Sequence, residues 1–265
     1  MRPVIVVVSF GVSAPEAREK SLAPIVREIE AAFPEFAAAE AYTSAFIRRR
    51  LQKAGIDMPS LAERLARLLQ AGVREVYIQP TLLTPGEEYE NKILKEAQAF
   101  SSRFDVLEVG EPVFFREGGA EGDDVARGLA AIFPDIALQA DEALVLLGHG
   151  SPHRRNPVYV RLQRCADEKG LPVHIGVLEE ADVPNFAMVQ KRLERSGKRR
   201  VLLAPLLLAG GRHVTHDLAG EEPGSWKSRL QKASFSVRLD RRTLGERAAF
   251  RRIYVEKVRR LVCHN

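Results

Sequence analysis

Cysteine is nearly absent: the 265 residues hold two, Cys165 and Cys263, far apart and in no CxxC pair. That spacing excludes a disulfide framework and the usual thiolate zinc site. Long apolar runs are missing too, and nothing approaches the roughly 20 residues that span a bilayer. The opening stretch MRPVIVVVSFG has one basic residue and an apolar run too short for a signal peptide, so a cytoplasmic protein is expected. Nucleotide motifs are also lacking. The first apolar run leads into SFGVSAPEA, with one glycine where GxGxxG needs three, and no GxxxxGK[ST] occurs. GHGSP at 148–152 is not the GxSxG nucleophile elbow, and His149, Ser151 and Asp217 resemble a hydrolytic triad by residue type only.

What remains is ordinary in bulk, with 45% hydrophobic and 28% charged residues, enough for one large or two modest domains. The formal net charge of +5 favours an acidic partner. Arginines and lysines gather in the last third, at 198–200, 241–242, 251–252 and 259–260. Solvated helix faces account for them, and no nucleic-acid motif accompanies them. A polycarboxylate small molecule fits the charge equally well.

Short β-branched runs alternate with helical patterns. VIVVVSFG, EFAAAEAYTS, EVYIQPTLL and DVLEVGEPVF read as strands. Helices are expected near 14–32 (with Ser13 as N-cap), 45–53, 59–71 and over YENKILKEAQAF. The second half repeats the order: EALVLLGHG, PVHIGVLEE, RRVLLAPLLLAGG and FSVRLDRRTLG as strands, with helices over 156–169, 185–196, 226–232 and the basic C-terminus. This predicts an α/β protein of two flavodoxin-like or Rossmann-like halves, 1–135 and 136–265, each a four-stranded parallel sheet flanked by helices. IQPTLLTPGEEYE aligns with LAPLLLAGGRHVT without a gap, Pro80 under Pro205 and Gly86 under Gly211, which puts Glu88 under His213. Aligning Gly11 with Gly150 puts Phe10 under His149. A duplication with a cleft between the halves is the expectation.

Open parallel sheets bind ligands at the carboxyl ends of their strands. The residues expected there are Ser9, Phe10, 42–44, 87–89, His149, Glu179, Glu180, His213 and His216. Two imidazoles and a carboxylate, His149, His213 and Glu179, suit a borderline divalent metal such as Co²⁺, Fe²⁺, Ni²⁺ or Zn²⁺. Without thiolates such a site can release its ion. The competing reading is a set of histidines that only hydrogen-bond or cap. Ser9 and Ser13 either anchor a ligand or cap a helix. Phe10 and Tyr89 either touch a ligand or pack. Trp226 reads as a packed anchor, and His174 and His264 as incidental. His153 lies close enough to His149 in sequence to assist in metal capture.

LGHGS, IGVLEE and LLLAGGRHVTHDLAGEEPGSWKSRL, in that order, resemble the anaerobic-pathway sirohydrochlorin cobaltochelatases, class II chelatases of the ferrochelatase-like fold. VVVSFGVS, AYTSAFIRRRL and PGEEYE extend the resemblance over nearly the whole chain. The resemblance implies insertion of Co²⁺ into sirohydrochlorin, a polycarboxylate tetrapyrrole, in cobalamin biosynthesis. It implies no organic cofactor, no nucleic-acid or membrane partner, and a homo-oligomer. It places His149, Glu179 and His213 on metal-binding positions, with His149 and His213 also as proton acceptors and Glu88 as an acidic catalytic residue. Ser9, Phe10, Ser13, Tyr89 and Arg212 are the expected substrate contacts, with Arg48, Arg49, Arg154 and Arg155 as further partners for carboxylates. His216 and Glu180 stand close enough to share the metal. A ferrochelatase or nickel chelatase, or a non-catalytic metal or tetrapyrrole carrier, are the competing functions.

Overall fold

The computed structural model describes residues 1–118, 122–151 and 156–263. It contains two four-stranded parallel sheets. β1 (Val4–Ser9), β2 (Ala37–Tyr42), β3 (Glu75–Pro80) and β4 (Val106–Val109) form one in the order β2-β1-β3-β4. β5 (Glu142–Gly148), β6 (Val173–Val177), β7 (Arg200–Pro205) and β8 (Ser236–Leu239) form the other in the order β6-β5-β7-β8. All residues of the central strands β1 and β5 are buried, as a parallel strand covered by helices on both faces requires. Their valines and leucines are therefore uninterrupted rather than alternating.

Helix starts follow cap chemistry. Ser44, Asn156, Asn185 and Ser225 each accept a backbone N–H at the head of a helix, and Ser60 with Glu63 forms a capping box. Ser13 does not cap: the first helix begins at Pro15 with Ala14 at the N-cap, since proline's fixed φ already suits the first turn. A helix at Asp124–Ile132, capped by Asp123, went unforeseen in the sequence.

The packing divides the chain at different places from the single cut expected near 135. One compact unit comprises Met1–Phe115 with Ala248–Asn265, the other Arg116–Arg247. The C-terminal helix (Ala248–Cys263) is the reason. It packs on the helix Ala23–Ala32 and on β3 of the first unit. There Phe250 meets Phe114 at 6.4 Å between ring centroids, Tyr254 donates to the carbonyl of Thr81 at 2.9 Å, and Arg251 donates to Glu28 at 2.6 Å. Phe250 and Tyr254 are fully buried, and truncating either to alanine would cost about 3–5 kcal/mol.

The duplication register is written in the backbone. Val8 pairs with Pro80 as Leu147 pairs with Pro205. Beyond the strands, Thr81 N–H donates to Val8 O and Leu206 N–H to Leu147 O, both at 2.8 Å. Ser44 N–H donates to Phe10 O at 3.2 Å, as Glu179 N–H does to His149 O at 3.1 Å. Glu90 N–H donates to Gly86 O as Thr215 N–H does to Gly211 O. Phe10, Ser44 and Glu88 thus occupy in the first unit the places of His149, Glu179 and His213 in the second.

Candidate functional site

His149 stands between two glycines that the packing demands. A Cβ on Gly148 would come within 2.4 Å of the Tyr159 ring. Gly150 turns the chain with φ +80°, and its Cβ would lie 3.0–3.1 Å from the Cβ atoms of Val177 and Glu179. The half-buried His149 imidazole is left at the strand end with Nδ1 3.0 Å from the carbonyl of Gly150.

His213 opens a π-helical turn, His213–Leu218, that follows β7. Val214 and Leu218 are buried and anchor the turn, which leaves His213 and Asp217, four residues apart, together on its open side. Asp217 Oδ2 lies 2.7 Å from His213 Nδ1, and the two side chains are 42% and 49% exposed. A carboxylate there holds the ring as its Nδ1–H tautomer and leaves Nε2 with a lone pair. The carbonyl at His149 Nδ1 selects the same tautomer. The two imidazoles meet edge to face, with centroids 4.6 Å apart and planes at 86°. Two lone-pair nitrogens are thereby presented within one small volume at the carboxyl edge of the second sheet.

The third expected ligand is not gathered with them. Glu179 is half-buried and joined to His149 through its backbone N–H, but among the described residues no three His, Cys, Asp or Glu side chains cluster as an ion site. Glu180 is engaged elsewhere, with Arg229 at 2.6 Å, whose guanidinium lies 3.8 Å above the centre of the Phe186 ring. His216 faces Glu222 at 3.5 Å.

In the first unit Phe10 is 52% exposed, so it is not a core residue. Glu88 is half-buried, and Ser13 and Arg212 lie at the surface or partly so. Ser9 is buried and accepts from Thr81 Oγ1 at 2.9 Å. Tyr89 belongs to the core: its hydroxyl donates to Gly110 O at 3.0 Å, and burial pushes its pKa up to about 12. Arg48 pairs with Glu63 at 3.2 Å, and Arg49 donates to Ala45 O at 3.3 Å. Trp226 is a packed anchor, buried against Phe186 and filling the space above Gly176. His174 is buried within β6. His153, Arg154, Arg155 and His264 fall outside the described residues.

Sequence reasoning gave Asp217 no orienting role, although a His-x-x-x-Asp spacing on a helical turn signals one. It missed Asp182 altogether. Fully buried, that carboxylate accepts the backbone N–H groups of Ser151, Asn156 and Val183. Nothing in EEADVPN distinguishes it from a solvated loop residue.

Residues 3–262 match the family described as cobalt chelatase (CbiK). The chain belongs to this family. The chain is 30% identical over 257 residues to a sirohydrochlorin cobaltochelatase of Salmonella typhimurium, covering 96% of this chain and 94% of that one. It is also 30% identical over 230 residues to sirohydrochlorin cobaltochelatase CbiKC of Nitratidesulfovibrio vulgaris, with 86% and 79% covered. Among solved structures, SirB from Bacillus subtilis with Fe³⁺ superposes with a TM-score of 0.69 at 18% identity, over 99% of this chain and 96% of that one. At that identity the likeness concerns the fold, two parallel α/β units. No helix among the described residues is long and apolar enough to cross a membrane.

Proposed function

We propose that this chelatase inserts Co²⁺ into sirohydrochlorin, releasing the two pyrrolic protons as the metal enters. The observation that carries the reading is the imidazole pair, His149 and His213, at 4.6 Å with Asp217 on the far nitrogen of His213. Insertion exchanges a hydrated dication plus a ring with two N–H groups for a neutral metal–nitrogen core plus two protons. The protein must therefore hold a dication briefly and offer bases beside it. Imidazole does both near neutrality, and without thiolates the metal can leave for the ring. Glu179, tied by its backbone N–H to His149, brings a carboxylate to the same strand edge to share the ion and offset its charge while water departs. At the same places in the first unit, exposed Phe10 offers a ring to a macrocycle face and Glu88 a carboxylate to a pyrrole proton. The excess of basic residues, Arg212 included, suits a polycarboxylate substrate. Action in the cytoplasm, without an organic cofactor and as a homo-oligomer, completes the proposal, and size-exclusion chromatography with light scattering tests the last part.

The deciding experiment is anaerobic turnover of sirohydrochlorin with Co²⁺, Fe²⁺ and Ni²⁺, followed by absorbance, for wild type and His213→Ala. Metal-dependent turnover above the spontaneous rate, fastest with Co²⁺ and largely lost in the variant, is expected. Stoichiometric binding without rate acceleration would make the protein a carrier instead, and faster turnover with Fe²⁺ or Ni²⁺ would replace cobalt.

A further inference from the structure

The second unit carries a feature that the first does not. After Ser44 the first unit enters a helix at once, at Ala45, whereas after Glu179 the second unit runs through a turn before its helix begins at Phe186. Asp182 lies in that turn. Its Oδ2 accepts Ser151 N–H at 2.9 Å, and its Oδ1 accepts Asn156 N–H at 3.1 Å and Val183 N–H at 2.8 Å. Its own N–H donates to Glu179 O at 3.0 Å. Charge-assisted bonds of this kind, shielded from water, are roughly twice as strong as neutral ones. Tyr159, buried under Gly148, adds a second anchor: its hydroxyl accepts Gly150 N–H at 3.2 Å.

Three consecutive backbone groups beside the imidazole are therefore pinned: His149 O by Glu179 N–H, Gly150 N–H by Tyr159 and Ser151 N–H by Asp182. The Glu179 carbonyl is bound to the same Asp182. We infer that Asp182, seconded by Tyr159, is a positioning residue that fixes His149 and Glu179 relative to each other for metal delivery. Both side chains are buried and bond to backbone groups. The inference rests on the chelatase reading above, and it assigns the held geometry to a buried carboxylate in a turn that the first unit lacks.

Asp182→Asn keeps the shape but must aim an amide NH₂ at one of the backbone donors, whichever way the group flips. Steady-state insertion is measured for wild type, Asp182→Asn and Tyr159→Phe, with KM for Co²⁺, KM for sirohydrochlorin and kcat resolved, alongside thermal melting. Asp182→Asn is expected to raise the Co²⁺ KM about 10–100-fold, the usual effect of removing a group that orients a ligand. Tyr159→Phe should raise it about 2–10-fold, the loss of one neutral hydrogen bond. Both should leave the sirohydrochlorin KM unchanged. If kcat alone falls, in step with the folded fraction, the two residues are scaffold and the inference is overturned. Should Asp182→Asn not fold, Tyr159→Phe decides, because that change buries no unpaired charge. If wild type turns over no metal, the chelatase reading fails on its own. The visible absorption of bound Co²⁺ then decides the inference, with identical titrations in wild type and Tyr159→Phe counting against it.

Discussion

The two units share a strand order and a register of backbone bonds beyond the strand ends, yet they place opposite chemistry at the same three positions. Where the second has His149, Glu179 and His213, the first has Phe10, Ser44 and Glu88. The scaffold is identical in its demands: each glycine after the central strand, Gly11 with φ +104° and Gly150 with φ +80°, turns the chain against a neighbour. That neighbour is the Tyr42 ring in the first unit and the Cβ atoms of Val177, Glu179 and Asp182 in the second. The fold supplies the same edge twice, and the side chains placed on it differ: two imidazoles and a carboxylate in one unit, an aromatic ring, a hydroxyl and a carboxylate in the other.

Rewriting one edge with the other's residue is the harshest test. His149→Phe is expected to lower kcat/KM for Co²⁺ by about 10²–10⁴, the usual contribution of a placed base. Adding Phe10→His should restore nothing, because the first unit carries Glu88 and Lys92 at the positions that His213 and Asp217 hold in the second. Recovery of turnover in that double variant would show the two edges to be interchangeable. A step smaller, Asp217→Asn should reduce kcat/KM about 10–100-fold by freeing the His213 tautomer, with the melting temperature unchanged because both groups are half-exposed. An unaltered rate for that variant would reduce the pair to a surface contact.

The strands, the helix starts at 156 and 185 and the register of the halves were legible in the sequence because burial on both faces, helical periodicity and glycine turns leave local marks. Two kinds of feature were not. The C-terminal helix reads as closing the half it follows, and only the burial of Phe250 and Tyr254 shows that it completes the other unit. Asp182 and Tyr159 act through backbone groups distant in sequence, so no spacing announces them. The pairing of His149 with His213 was expected from strand ends alone. The placement of Glu179 outside a closed three-residue set was not.

Glycine substitutions sharpen the comparison on stability. Gly11→Ala and Gly150→Ala each impose a side chain at positive φ and crowd a neighbour, at a cost of about 2–4 kcal/mol by denaturant unfolding. Only Gly150→Ala should also raise the Co²⁺ KM, since its neighbours hold His149 and Glu179. An equal rise in Gly11→Ala would place metal capture on both edges.

The smallest expected effect lies within the sheets. Val145 pairs with His174 as Val6 pairs with Ala39, so a histidine occupies in the second unit a place held by alanine in the first. Burial, then the nearby Arg192 charge, lowers the His174 pKa from 6.5 to about 4, and its Nδ1 accepts from Arg192 Nε at 3.4 Å. As pH falls below about 6.5 the unfolded chain takes up a proton that the folded protein refuses until about 4. Stability therefore declines across that window and levels off beneath it. His174→Ala makes the second sheet resemble the first at this point. Its unfolding free energy should fall less steeply than that of wild type between pH 6.5 and 4. Parallel curves for the two proteins would show that the ring is not the group that resists the proton.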